Sequence, residues 1–155
     1  SFTNYWKMDE GNILVPEGID DTEDLARIIF APSMICEGEL SPSAYFLVNL
    51  ERGPEKYVSM LRAQYTNLAK EEISFKPRKE NDSLYGYALI FMKDCNSFEL
   101  EDCRISVKPK PNKNNPAHAG IYYSIDSVPI KGKCVDPRFL IMTTYLAKKS
   151  KLIEY

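Results

Sequence analysis

The sequence predicts one α+β domain, an antiparallel sheet with two or three helices including a C-terminal helix. Three observations lead to this prediction. The 155 residues suit a single domain spanning residues 1–155. The composition, 44% hydrophobic and 27% charged, is typical of a globular chain. Short runs of aromatic and β-branched residues alternate with turn signals, and a strong helix start follows them.

The first third of the chain contains an extended stretch and an ambiguous one. Residues 1–20 are expected to be an extended lead-in, because proline and glycine interrupt a short apolar run. Residues 20–33, DDTEDLARIIFAPS, have two interpretations. Asp21 or Thr22 would cap a helix that Pro32 ends, whereas the run LARIIF also fits a buried strand. We expect a helix here.

Three further elements are predicted between residues 43 and 92. SAYFLVNL (43–50) has the aromatic and β-branched content of a strand. Residues 53–72 fit a helix that starts at Pro54, or a strand over YVSMLRAQY that pairs with 43–50. Both interpretations stay open at this point. LYGYALIFM (84–92) is predicted to be a buried strand.

The last third is predicted to be a hairpin followed by a helix. FELEDCRISV (98–107) changes the parity of its apolar residues, which indicates a bulge near residues 101–103. A polar loop at 108–116 joins it to AHAGIYYSI (117–125). Asp136 as N-cap and the proline that follows it predict a helix over the remaining residues. Its inward face is expected to carry Phe139, Met142, Thr143 and Leu146.

The composition and motifs argue against several classes of function. No apolar run is long enough to span a bilayer, so no membrane contact is expected. The first residues lack the apolar core of a signal peptide, although a leader trimmed before Ser1 stays an open alternative. The common nucleotide-binding and hydrolase motifs are absent. The four cysteines and one histidine lack zinc-site spacing. We therefore expect neither a metal nor a cofactor, and reduced thiols in a cytoplasmic protein.

Charge is distributed unevenly along the chain. Residues 1–24 contain seven acidic residues against Lys7 alone. Residues 104–151 contain ten lysines and arginines against Asp126 and Asp136. Such polarity can steer an anionic partner, or the acidic segment can simply fold back on the basic one.

The chemistry-bearing candidates are one histidine, three arginines and a group of lysines and tyrosines. His118 is the only side chain whose ordinary pKa lies near neutrality, and it would act as a general base only with partners brought to it by the fold. The arginines that could join it are Arg27, Arg62 and Arg104.

Lysines and tyrosines near the predicted hairpin are candidates for binding. The loop KPKPNKNNP carries Lys108, Lys110 and Lys113, which suit phosphate contacts. The sequence does not interleave them with stacking aromatics, so an ordinary solvated loop is the alternative. The ten tyrosines include Tyr122 and Tyr123, which would suit an interface if their strand presents them outward.

Three segments carry a resemblance to known proteins. LARIIFAPS (25–33), ELSPSAYFL (39–47) and PAHAGIYY (116–123) together resemble a pattern in small uncharacterised bacterial proteins of mobile or defence gene clusters, which implies a partner protein. Arg27 followed by a Ser/Tyr segment is similar to the start of ADP-ribosyltransferase-like toxins, but this chain has no convincing matching glutamate.

These observations lead to a first hypothesis and two alternatives. The first is a non-catalytic accessory module of a bacterial cytoplasmic system, related to defence or to a toxin–antitoxin pair, that binds a protein partner. One alternative is an enzyme acting on nucleic acid or a nucleotide, such as a nuclease or an ADP-ribosyltransferase-like toxin, that uses His118 and an arginine. The other is plain nucleic-acid binding through residues 104–151.

Overall fold

The structure, a computed structural model, describes the backbone of residues 5–7 and all of residues 14–69 and 76–155. The predicted α+β architecture is confirmed. Two α-helices lie wholly within the described residues, α1 at Met92–Asn96 and α2 at Pro137–Lys149. Leu68 and Ala69, the last residues described before the gap at 70–75, are also helical. The strands are β1 Tyr5–Lys7, β2 Leu14–Pro16, β3 Asp24–Ala31, β4 Ile35–Cys36, β5 Glu39–Leu40, β6 Asn49–Leu50, β7 Gly53–Pro54, β8 Val58–Arg62, β9 Ser83–Phe91, β10 Cys103–Pro109, β11 His118–Ile125, β12 Val128–Pro129 and β13 Lys151–Glu154.

One large antiparallel sheet organises the described residues. Its strand order is β10-β11-β8-β3-β9-β13, and β12 adds a short hairpin to β11. The remaining strands form two-stranded ribbons, β1 with β2, β4 with β5 and β6 with β7. At the β11–β12 turn both Asp126 and Ser127 have positive φ, the geometry of a type I′ hairpin.

The two faces of the sheet have different surroundings, because successive side chains along a strand point to opposite sides. One face, the helix face, packs its apolar residues against α2, whose Phe139, Met142 and Leu146 are buried in the main core. On the opposite face, Ala26, Ile28, Phe30 and Leu61 form a second, smaller core cluster. No helix among the described residues is long and apolar enough to cross a membrane.

Two predicted elements are wrong. Residues 24–31 form the strand β3, not a helix, and six of its eight residues are buried. A strand buried on both faces shows no alternation, so its pattern resembles that of a buried helix. The strand predicted over 43–50 does not form as such, because Pro42–Tyr45 form a 3₁₀ turn capped by the Ser41 hydroxyl, and only Asn49–Leu50 pair, as β6.

Other predictions are confirmed in whole or in part. The strand alternative is correct for 58–62, where β8 forms, but its expected pairing with 43–50 is wrong, because β8 pairs with β3 and β11. The strand predicted at 84–92 is β9. The bulge predicted near residues 101–103 is wrong, because a tight turn with Asp102 at positive φ precedes β10 there. The Asp136 side chain caps α2 by accepting from the Arg138 amide at 2.9 Å. Residues 70–72 of the predicted helix alternative, and half of the lead-in (residues 1–4 and 8–13), lie outside the described residues.

Candidate functional site

The β10–β11–β8 part of the sheet gathers polar and aromatic side chains on the face opposite α2. Gly120 of β11 pairs with Lys108 of β10 on one side and with Ser59 of β8 on the other. Because side chains two residues apart share a face, His118 and Tyr122 flank Gly120 on that side. Residues from three strands, distant in sequence, therefore meet on one surface.

Gly120 provides the space in which the first aromatic ring lies. A Cβ atom there would sit 2.7 Å from Cδ2 of Tyr57 and 3.2 Å from Cε2 of Tyr122. The Tyr57 ring thus lies directly over the glycine backbone, with its centre 5.4 Å from that of Tyr122. Both rings are half-buried, so each keeps an accessible part.

Two exposed lysines lie against these rings. The Lys108 ammonium is 4.7 Å from the centre of the Tyr122 ring, and the Lys110 ammonium is 5.3 Å from that of Tyr57. These distances are within the range of a cation–π interaction. We call Tyr57, Tyr122, Lys108, Lys110 and His118 the tyrosine–lysine surface.

His118 is held by hydrogen bonds at both ring nitrogens. Nδ1 lies 3.0 Å from the carbonyl oxygen of Lys110, and Nε2 lies 3.1 Å from Oγ of Ser59. Since a carbonyl oxygen only accepts, Nδ1 carries the proton, and Nε2 of the neutral ring then accepts from the Ser59 hydroxyl. The Tyr57 ring packs edge-on against the imidazole, with the ring centres 6.1 Å apart.

The environment keeps this imidazole neutral at pH 7. Burial has the largest influence and lowers the pKa of His118; the hydrogen bond to Lys110 opposes it, while the charges of Lys110 and Arg27 lower it further. A histidine whose pKa falls below its ordinary value of about 6.5 is unprotonated at neutrality. Its Nε2 is therefore available to accept a proton.

The three candidate arginines have different environments. Arg62 is fully buried and its Nε lies 2.8 Å from Oε1 of Glu23, so it is part of the core. Arg104 is exposed on β10. Arg27 is 9% exposed and is joined to His118 through Ser59, whose carbonyl oxygen accepts from Nη1 of Arg27 at 3.1 Å.

The predicted binding residues are only partly brought together. Lys108, Lys110 and Tyr122 belong to the tyrosine–lysine surface, whereas Lys113 is exposed in the loop between β10 and β11. Tyr123 is 2% exposed and donates its hydroxyl to the carbonyl oxygen of Tyr45 at 2.7 Å. The expectation that Tyr123 faces outward is wrong, because it alternates with Tyr122 and points into the core.

Sequence reasoning missed two residues of the site, Tyr57 and Ser59. Their spacing of two in the strand interpretation of YVSMLRAQY places both on one face. That spacing does not show which residues of β8 pair with which residues of β11, because β11 lies about 60 residues further along the chain.

The cysteines and acidic groups contribute no site to the described residues. All four cysteines have free thiols, and burial raises the pKa of Cys95 to about 12. In the described ranges, no group of three or more His, Cys, Asp or Glu side chains is arranged to hold a metal ion.

Comparison with known proteins provides no relative against which this arrangement can be set. The chain matches no protein-family model, no curated protein sequence and no solved structure.

Proposed function

We propose that the chain is a non-catalytic binding module whose ligand is single-stranded nucleic acid, held on the tyrosine–lysine surface. The observation that carries the proposal is the pairing of Tyr57 and Tyr122, each with a lysine ammonium against its ring. Single-strand binders combine aromatic rings, on which bases stack, with cations that follow the phosphates. The lysines and aromatics that the sequence separates are interleaved in space.

The energies favour displacement of the lysines by bases. A cation–π contact at an exposed site is worth about 0.5–1 kcal/mol, whereas stacking of a base on an aromatic side chain is worth roughly 1–3 kcal/mol. A base can therefore take the place of the Lys108 or Lys110 ammonium on its ring. The displaced ammonium stays next to the ring, where the phosphate of the stacked nucleotide would lie.

The first test measures binding of a fluorescently labelled single strand of about 12 nucleotides, a length within the usual site sizes. Tyr57→Ala and Tyr122→Ala are each expected to cost roughly 1–3 kcal/mol of binding free energy, because one stacking ring is removed. The corresponding phenylalanine variants keep the ring and should bind almost as the wild type does. Titration by fluorescence anisotropy at low salt provides the constants.

A lysine series tests the phosphate contacts and includes a matched control. Lys108→Glu combined with Lys110→Glu should reduce the salt dependence, by about 0.7 in the slope of log K against log salt for each phosphate that the variant no longer neutralises. Lys148→Glu combined with Lys149→Glu changes the charge equally, on α2. Absence of binding at low salt, or equal weakening in both pairs, would overturn the proposal. A protein partner and a bacterial cytoplasmic origin stay predictions.

As a second candidate function we propose catalysis at Ser59, supported by the hydrogen bond between its Oγ and Nε2 of His118. A nucleophile bonded to a base that a third group orients is the general arrangement of covalent catalysis; here the Lys110 carbonyl oxygen orients the ring. This candidate develops the alternative of an enzyme acting on nucleic acid or a nucleotide.

A fluorophosphonate probe tests this second candidate. Oγ of Ser59 would bond to phosphorus, fluoride would leave and Nε2 of His118 would take the proton. Labelling should vanish in Ser59→Ala, fall strongly in His118→Gln and persist in Ser106→Ala. Because the pKa of His118 is lowered, the labelling rate should fall in acidic solution with a midpoint below about pH 6.5, the ordinary pKa of histidine. Peptide mass spectrometry locates the adduct, and wild-type labelling no higher than that of Ser59→Ala would exclude the candidate.

A further inference from the structure

Arg27 lies where two neighbouring strands separate. The β3–β8 ladder contains only the pairs Leu25–Arg62 and Ala26–Leu61. Beyond them β3 continues along β9 and β8 continues along β11, so neither has the other as a partner. Arg27 bridges the opening, since its Nη1 donates to the carbonyl oxygen of Ser59 on β8. Its Nε donates to the carbonyl oxygen of Ala44 at 2.9 Å.

These two hydrogen bonds fix the guanidinium but provide no ion-pair partner for its charge. Among the described residues, no carboxylate lies within ion-pair distance of Arg27, and its Nη2 has no hydrogen-bond partner. Burial, and next the charge of Arg78, lower the pKa of Arg27, with Glu55 opposing them. An arginine does not lose its proton in proteins, so the positive charge persists. A buried charge of this kind is costly unless it is paired.

A cavity of about 180 Å³ opens beside this guanidinium. We call it the fork cavity. Its lining includes Arg27 and three further cationic residues, Lys76, Arg78 and Lys79. Asp82 is the acidic residue that lines it, and that carboxylate already accepts from the amide and hydroxyl of Ser33. The hydroxyl-bearing residues Ser43 and Ser59 complete its polar lining.

The fork cavity continues towards the tyrosine–lysine surface. Ser59 and Arg78 line both the fork cavity and an adjoining open depression of about 490 Å³. That depression is also lined by Tyr57, Arg52 and Lys56, and by Glu55, which is ion-paired with Arg78. A ligand stacked on Tyr57 therefore has a continuous, predominantly cationic path to Arg27.

We propose that the fork cavity binds the terminal phosphate of the strand that lies on the tyrosine–lysine surface. That a nucleic-acid strand is the ligand rests on the proposed function. That the fork cavity binds a phosphate group does not. Size favours a phosphate group over a whole small-molecule ligand, for which pockets usually have about 300–1,000 Å³. A terminal phosphomonoester presents several acceptor oxygens to the donors of an arginine, which suits paired charge-assisted hydrogen bonds. It also supplies the counter-charge that Arg27 lacks.

The experiment compares two otherwise identical oligonucleotides, one with a 5′-phosphate and one with a 5′-hydroxyl. A third oligonucleotide with a 3′-phosphate tests whether the strand binds in the opposite direction. One of the two phosphates is expected to tighten binding about tenfold or more, the effect of one charge-assisted hydrogen bond of ordinary strength. The gain should disappear in Arg27→Gln and shrink in Lys76→Ala combined with Lys79→Ala. The lysine pair guards against a folding defect, because both side chains are exposed.

Inorganic phosphate separates failure of the site from failure of the proposed function. It should raise the melting temperature of the wild type, compared with sodium chloride at equal ionic strength, and not that of Arg27→Gln. Oligonucleotides that bind equally well with and without either phosphate would overturn the fork site and leave the tyrosine–lysine surface intact. Stabilisation by inorganic phosphate without oligonucleotide binding would keep the site and overturn the proposed function.

Discussion

Replacement of Glu23 by alanine is expected to lower the free energy of unfolding by about 3–5 kcal/mol, the cost of leaving one partner of a buried ion pair alone. Glu23 is 2% exposed and Arg62 is 0% exposed. The carboxylate binds the guanidinium in a bidentate manner, from Nε at 2.8 Å and from Nη2 at 2.9 Å. Without Glu23, the charge of Arg62 stays buried with only neutral acceptors around it.

The loss of stability should involve more than one side chain, because those acceptors belong to another segment of the chain. Arg62 also donates to the carbonyl oxygens of Pro16 and Gly18, and so ties the segment after β2 to the centre of the sheet. Chemical denaturation measures the change. The matched control is Arg78→Ala. The Arg78 side chain is half exposed, so its ion pair with Glu55 should be worth less than about 1 kcal/mol.

A double variant shows whether the lost stability comes from the unpaired charge. Glu23→Leu combined with Arg62→Met removes both charges, and apolar replacements of a buried pair are often neutral or stabilising. The pair should therefore be much more stable than Glu23→Ala alone. If Glu23→Ala is no more costly than Arg78→Ala, the assignment of Glu23–Arg62 as a buried ion pair of the core is wrong.

The second large loss of stability is expected for Gly86→Ala in β9. A Cβ atom at this position would overlap the carbonyl oxygen of Ile153 and sit 3.0 Å from Cα of Glu154. Both are backbone atoms of β13, so a change of rotamer cannot relieve the overlap. We expect β13 to separate from β9, at a cost above the about 1–3 kcal/mol of ordinary core overpacking.

Hydrogen exchange of the β13 amides reports this separation directly. Residues 151–154 should lose protection in Gly86→Ala, while the amides of β8 and β11 keep theirs. Gly18→Ala is the control, because nothing lies within 4 Å of the added carbon. If the β13 amides are protected as in the wild type, the close approach of β9 and β13 at Gly86 is not as described.

Local signals explain the elements that could be predicted. The start of α2 is specified by Asp136 and Pro137, which act within a few residues of each other. By contrast, the acidic residues before β3 resemble a helix start, but the fold uses them otherwise. The carboxylate of Asp20 accepts from the amide of Thr22 at 3.0 Å, and Glu23 binds Arg62. These partners lie in a turn and a distant strand, which local patterns do not reveal.

The candidate site could be predicted residue by residue but not as an arrangement. His118, Lys108, Lys110 and Tyr122 are all recognisable as candidates by residue type. Their contact with Tyr57 depends on the pairing of β8 with β11, and a slip of one residue would move Tyr57 to the other face. Nothing within a short window of sequence determines that register.

The strand order has a consequence for how the chain reaches its native state. In the large sheet, the hairpins β10–β11 and β11–β12 join segments adjacent in sequence. The pairings β3–β9, β3–β8, β8–β11 and β9–β13 join segments that are far apart. Loop closure must be achieved before such contacts form, and chains rich in them refold in milliseconds to seconds rather than microseconds. During synthesis, the central strand β3 can therefore form its longest pairing only after β9 has been made.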